Sequence, residues 1–476
     1  DWDAISYHLA VPKLYAEAGQ MHYVPFIKHA SQPFALELVF TLPAVLGPLA
    51  AAQMLHWVFL LLTVLLVYSL AQRTGKGGGM LAALLLVSAP VILWEATIAY
   101  IDLALVWATL ASLVTLLAAF EQPKPRLWVL TGLLVGAAIG FKLSSLMWLV
   151  IVCALLLLAG LKQRERFGVL VGRLVMVGLP ALLIALPWFL RSWLWTGNPI
   201  YPFLYSIFGG ANWSAEAAAH YRAEQLAFGL GHSPLQFIRL PFDLTFNAAA
   251  FFDSGSLLGE IGPLFLALTP LALLIKPLPS SLKWANLAAL LLTLGWFISM
   301  QQIRYLLPSV AIWGATGGWA FGQLWQRAPK VRWALAGALT LGLVANLPGL
   351  VLPSTVKLPV ALGLEPAQAY LSAGLQPYDT LTWANRNLPQ DARVICYGEP
   401  RLLYLDRGYL WGEQEYQLLV DYPKLADAEA LIEELHRQGY GYILVNFSFM
   451  PKTGRLPALL EELVANRELR LLTSQN

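Results

Sequence analysis

"IGFKLSS", residues 139–145, interrupts an apolar run that otherwise extends from about 127 to 161. Either one long helix buries Lys142 at membrane depth, or two helices turn back on each other with the lysine between them. "SMQQIRY", residues 299–305, poses the same choice around Arg304. The setting of both is clear from composition. The chain is 58% hydrophobic and 12% charged, with a mean hydropathy of +0.61, whereas a soluble domain carries about 25% charged residues. This is a polytopic membrane protein, and nucleic acid is not among its expected partners.

A spanning helix needs about 20 apolar residues. Runs of that kind lie near 51–72, 78–96, 99–120, 127–141, 143–161, 173–190, 261–275, 284–300, 305–326 and 333–352. Alternate connections between them hold Arg73, Lys76, Lys124, Arg126, Lys162, Arg164, Arg166, Arg173, Lys276, Lys283, Arg327, Lys330 and Arg332, against only Glu121 and Glu165. The opposite side, up to residue 352, holds seven basic and eleven acidic residues. The positive-inside rule puts the first set in the cytoplasm. Fusing either pair of runs would break this alternation, so both hairpins are real and both turn on the outer face. Residues 1–50 then form a first outer loop with juxtamembrane helices, and 51–352 a bundle of about ten spans with a long outer loop at 191–260. Since residue 1 lies outside, one further span is expected upstream of it.

After a linker at 353–375, residues 376–476 change character. "RVICY" and "YILVN" read as short strands, Arg393–Tyr397 and Tyr442–Asn446, among amphipathic helices. The alternation predicts a small α/β domain on the outer face. Cys153 lies in an apolar run and Cys396 in this tail, so no disulfide is expected between them. "GKGGG", residues 75–79, lacks the spacing of a phosphate-binding loop.

Ionisable groups at membrane depth mark functional sites by default. Those near the outer face are Asp1 and Asp3 with His8, Glu95 with Asp102, and the cations Lys142, Arg191 and Arg304. Each also has a plain structural explanation. The acids can be ordinary loop or helix-end residues, His8 an interfacial histidine, and Lys142 and Arg191 can snorkel to headgroups. A positive charge in a tight outer hairpin works against the orientation rule, which sets Lys142 and Arg304 apart. Acids and bases meeting at one membrane surface suit an anionic, membrane-embedded substrate.

The ordered set of segments resembles the GT-C fold polytopic glycosyltransferases, which include the lipid A aminoarabinose transferases and the protein O-mannosyltransferases. In "DAISY", Asp3 stands four residues before Tyr7 and matches the aspartate of that family's first outer loop, although Ala4 replaces the acidic neighbour. "AYIDLALVWATLASL" matches a second acidic loop through Asp102, and "GLLVGAAIGFKLSSLMWL" a Gly-rich span ending in a lysine, here Lys142. "PWFLRSWLWTGNPIYPFLY" and "QQIRYLLPSVAI" are similar to segments of bacterial members. In "SQPF", Gln32 stands where the family has a lysine; Lys28 or His29 are the substitutes at hand.

The resemblance implies an all-α polytopic bundle with a small C-terminal α/β extracytoplasmic domain, in the plasma (inner) membrane of a bacterium. It implies transfer of a sugar from a polyprenyl-phosphate carrier to a lipid, glycan or protein acceptor. Asp3 would be the general base, with Asp102 beside it and Asp1, His8 and Glu95 in support. Lys142, Arg191, Arg304, Lys28 and His29 would hold the donor phosphate. Asp1-Trp2-Asp3 is a DxD triplet that a divalent metal could use, while the aminoarabinose-transferase likeness argues against metal dependence, so no metal is assigned. The alternative is a non-catalytic membrane scaffold on the same fold.

Overall fold

The computed structural model describes residues 1–47, 49–73, 78–251, 261–450, 454–467 and 469–474. Lys76, most of the "GKGGG" turn and the end of the 191–260 loop lie outside them. A π-helical turn, Ala4–His8, leads into α1 (Ala10–Ala18), followed by α2 (Ala35–Leu46). The bundle then comprises α3 (Ala50–Gln72), α4 (Gly79–Ser88), α5 (Pro90–Ala96), α6 (Asp102–Glu121), α7 (Pro125–Phe141), α8 (Leu146–Lys162) and α9 (Phe167–Thr196). The connection beyond α9 carries the short α10 (Tyr205–Phe208), α11 (Ala215–Leu226) and α12 (Pro234–Phe246). The bundle resumes with α13 (Pro263–Leu274), α14 (Ser280–Ile298), α15 (Leu307–Arg327) and α16 (Arg332–Ala361).

The helices break where the charge alternation requires: α7 ends at Phe141 and α14 at Ile298, with Lys142 and Arg304 in the turns that follow. Among the described residues five segments are long and apolar enough to cross a bilayer, or six if the α4–α5 pair, bent by 76°, is one span. This is fewer than the ten runs read from the sequence, and the difference has a physical source. Nearly every residue of α15 from Leu307 to Gly322 is buried. A helix enclosed by other helices need not be greasy toward lipid, and α15 uses Ser309, Thr316 and several glycines to pack closely. The α4–α5 bend falls at Ala89, where Pro90 removes a helical hydrogen bond. The last helix does not stop at 352 but runs on to Ala361, into the stretch read as linker. Together the spans make this an integral multi-pass membrane protein.

Glycines let α7 and α9 pack closely. A Cβ on Gly132 of α7 would run into the Val177 carbonyl of α9, and one on Gly136 would come within 2.8 Å of the Ala181 carbonyl. These two helices approach backbone to backbone, which only small residues allow.

The tail contains α17 (Ala367–Gly374), α18 (Tyr378–Asn387), α19 (Ala428–Arg437) and α20 (Arg455–Ala465) around a parallel sheet of order β2-β1-β3. Its strands are β1 (Arg393–Tyr397), β2 (Gly408–Trp411) and β3 (Tyr442–Val445), with Cys396 opposite Trp411 and Leu444. The fold is therefore a polytopic helical bundle with a small C-terminal α/β domain. The tail sits on the first loop: Val11, Tyr15, Val24, Ile27 and Phe34 share one hydrophobic core with Leu381, Val394, Leu402 and Trp411. Lys13 Nζ latches the two, donating to the Leu403 and Leu405 carbonyls at 2.9 and 3.1 Å and to Asp406 Oδ1 at 2.6 Å. The first helix thus packs one face, Ala10, Val11, Pro12 and Tyr15, between bundle and tail.

Candidate functional site

The site forms where the first loop, the α5–α6 connection and the two hairpins meet at the tail-bearing end of the bundle. Asp3 stands just before the π-helical turn. Arg304, in the α14–α15 hairpin, donates from Nη2 to Asp3 Oδ2 at 2.6 Å. Its Nε is fixed on Gln302 Oε1 at 2.9 Å, and its guanidinium lies 5.1 Å from the ring centre of Tyr100. The Asp3 backbone N–H donates to the Tyr100 hydroxyl at 3.3 Å. Beside this pair is a second one. Lys142 Nζ donates to Asp102 Oδ1 at 2.8 Å, while Asp102 Oδ2 is buried without a hydrogen-bond partner.

One ring joins the two pairs. Lys142 Nζ lies 3.7 Å above Tyr305, and the Arg304 guanidinium 5.3 Å from the same ring centre. An aromatic face carries partial negative charge, so it tolerates two cations that would otherwise repel. Glu95 is fully buried, with neither carboxyl oxygen hydrogen-bonded, and Asp102, Arg304, Lys142 and Asp3 all act on it electrostatically.

Burial is the largest single influence on the Asp3 carboxyl and pushes it up. Arg304, with His8 and His29, outweighs burial and holds it well below the usual carboxylate range. His8 does not face Asp3 by hydrogen bond; its Nδ1 pairs with Glu37 Oε1 at 2.9 Å. Its ring centre lies 5.2 Å from that of Tyr100. His29 stacks on Tyr7 with ring centres 4.0 Å apart, and burial, then Lys28, push its imidazole well down.

Not every sequence-predicted cation joins this cluster. Arg191 donates to the Gln32 carbonyl and lies 5.0 and 4.8 Å from the rings of Trp188 and Trp195. Lys28 sits 3.9 Å over Tyr221, with Trp213 and Tyr416 around it and Glu224 at 3.8 Å. Asp1 is exposed. Among the described residues no group of three or more His, Cys, Asp or Glu could hold a metal ion. Asp3 of the DxD triplet already faces a guanidinium. The triplet does not fit a divalent ion here.

Sequence reasoning passed over Glu37, Tyr100, Gln302, Tyr305 and His56. Tyr305 and Gln302 flank Arg304 in "QQIRY", which was signal enough to include them. His56 lies within the apolar α3. Its Nδ1 donates to the Glu95 and Ile98 carbonyls at 2.8 and 3.0 Å, and its Nε2 accepts from the Leu103 N–H at 2.9 Å. It thereby fixes the loop that carries Asp102.

A family model described as dolichyl-phosphate-mannose-protein mannosyltransferase matches residues 33–195, a segment that includes Asp102, Lys142 and Arg191. No curated protein sequence matches the chain. Among solved structures, ArnT from Cupriavidus metallidurans bound to undecaprenyl phosphate aligns with a TM-score of 0.54 at 16% identity, over 94% of this chain and 85% of that one. The same protein in the apo state gives 0.59 at 15%, over 87% and 82%. The Archaeoglobus fulgidus oligosaccharyltransferase in the apo form gives 0.52 at 12%, over 93% of this chain but 65% of its own length. At such identities the likeness is one of architecture: from the first loop through the bundle to the tail, the chain has the GT-C-like fold of these neighbours.

Proposed function

We propose that the chain is an integral-membrane glycosyltransferase that takes a sugar from a polyprenyl-phosphate carrier at the outer leaflet of the plasma membrane, with its tail domain extracytoplasmic. The observation that carries this is the pairing of a buried carboxylate, Asp102, and a half-buried one, Asp3, with two cations around Tyr305, at the end of the bundle where the tail docks. The neighbouring folds support the donor class, since two such structures are complexes with undecaprenyl phosphate and dolichol-phosphate.

In the reaction, an acceptor hydroxyl or amine attacks the anomeric carbon. The bond from that carbon to the phosphate oxygen breaks, and the electron pair leaves with the polyprenyl phosphate. Asp3 takes the acceptor's proton, a contribution of about 10²–10⁴-fold for a positioned base. Asp102 orients the acceptor. Arg304 and Lys142 stabilise the phosphate as its charge grows, which is where preformed charge lowers the barrier most. One base on one face suits a single displacement with inversion. Lys28 and Arg191, held on aromatic faces nearby, add positive charge to this end of the bundle without contacting the phosphate.

The test is transfer of labelled sugar from a polyprenyl-phosphate donor in reconstituted membranes, comparing the parent with Asp3→Asn. The Asn side chain keeps size and hydrogen bonding but not the base. Parent-level transfer by the variant would show that Asp3 is not the base. A second reading, a non-catalytic scaffold, is favoured by Ala4 and Gln32 standing where the resemblance expects an acid and a lysine, and by carboxylates that are already ion-paired. It predicts no transfer by the parent either.

A further inference from the structure

The ion pairs pose a difficulty that also suggests its own solution. A base tied to a guanidinium is a poor proton acceptor, and a guanidinium tied to a carboxylate is a poor phosphate ligand. Resting on the function proposed above, we infer that the oxygens of the carrier phosphate take the places that Asp3 Oδ2 and Asp102 Oδ1 now occupy on Arg304 and Lys142. In this exchange, donor binding itself frees the two carboxylates for the acceptor.

Three features of the geometry carry this. First, the two cations are neighbours about one ring, 3.7 Å and 5.3 Å from Tyr305, so a single phosphate can reach both. Second, each cation is anchored by something other than its carboxylate. Arg304 keeps Gln302 on Nε at 2.9 Å, and both keep the Tyr305 face, so either can release its carboxylate without losing its place. Third, the acids have reason to let go once an anion arrives. Asp102 Oδ2 and both oxygens of Glu95 are buried without hydrogen-bond partners, so the pocket already holds carboxyl oxygens awaiting a donor. An acceptor hydroxyl supplies one. Holding phosphate and carboxylate on the same cation would crowd like charges in a buried space, where repulsion is strong. The low position of the Asp3 carboxyl is the expected signature of its resting partner, and losing Arg304 to phosphate removes the main influence that lowers it.

Competition of this kind is reciprocal. If phosphate displaces Asp3 from Arg304, then removing the Asp3 charge must favour phosphate. The prediction is contrary to the usual outcome of an active-site substitution: Asp3→Asn, dead in transfer, binds the carrier more tightly. The experiment titrates a polyprenyl monophosphate, without sugar, into the purified full chain in nanodiscs. Asp3→Asn is expected to bind roughly five- to tenfold more tightly than the parent, the range of an ordinary coupling between sites. Arg304→Gln should weaken binding, and Asp3→Asn added to Arg304→Gln should change it no further.

The outcomes separate cleanly. If the parent does not bind the polyprenyl phosphate, the proposed function falls. If it binds but Asp3→Asn binds equally or less well, the exchange is overturned and the function stands. A gain that persists in the Arg304→Gln background also overturns the exchange, because the carboxylate would then act by general repulsion. Parallel titrations with inorganic phosphate and with phosphatidylglycerol vesicles identify the source of the phosphate. Displacement of the polyprenyl phosphate by either one would overturn the assignment to a polyprenyl carrier.

Discussion

Two pairs of cations stand at the same end of the bundle and differ in which contact is closest. Lys142 and Arg304 each touch a carboxylate, at 2.8 and 2.6 Å. Arg191 and Lys28 are held by aromatic faces: Trp188 and Trp195 for the first, Tyr221, Trp213 and Tyr416 for the second. A carboxylate can be traded for another anion of similar geometry. A ring face cannot, because it is part of the packing, and a cation seated on it contributes its stem and its charge together. The charges that look alike in sequence therefore divide into an exchangeable set and a fixed set.

The comparison can be broken by substitutions on each side. The largest effect is expected at Asp3: Asp3→Asn should lower labelled-sugar transfer by about 10²–10⁴-fold, with thermal unfolding in detergent close to the parent. Lys142→Gln comes next. It should cost about 10²-fold in kcat/KM, and donor affinity should fall with it. Arg191→Gln should behave differently, destabilising the chain by about 2–3 kcal/mol, read as a lower Tm, while surviving protein turns over near the parent rate. If Arg191→Gln instead loses donor binding without loss of Tm, the division between the two sets is wrong.

The smallest effect concerns Lys28. Burial lowers its amine to about 8, with Glu224, then Glu415 and Asp3, opposing that drop. His29, adjacent in sequence, is pushed down in the same pocket. The ordinary lysine value is 10.5. Between about 8 and 10.5 the unfolded chain binds the proton that the folded chain has released. Stability should therefore rise with pH through that window, by about 3 kcal/mol, and the rise should be missing in Lys28→Met. Urea unfolding at several pH values measures it.

Much of this was legible in the sequence, and what was not has specific causes. The hairpins at Lys142 and Arg304 could be placed because charge alternation is a long-range constraint that each turn must satisfy. The strands Arg393–Tyr397 and Tyr442–Val445 announced themselves by β-branched and aromatic runs, whereas β2, "GYLW", is short, opens on glycine and carries no alternation. Asp3, Asp102, Lys142 and Arg304 could be named, but not their pairing. Asp3 and Arg304 are 301 positions apart, and nothing in either neighbourhood selects the other. Arg191 could be named too, but not that it rests on Trp188 and Trp195 rather than on a carboxylate. Glu37 and His56 were invisible for another reason. In an apolar helix one polar residue reads as noise until its partner on another element is known.

His56 also transmits movement. Three main-chain groups of the loop from Glu95 to Leu103 end on its one imidazole, and its helix presents Met54, Trp57, Val58, Leu61 and Leu65 outward. The loop holding Asp102 is therefore hung from a helix whose other face meets the hydrocarbon. Such helices tilt to match the bilayer around them. Any tilt of α3 carries the loop with it, so the thickness of the surrounding lipid becomes a determinant of how the acidic loop meets its substrate.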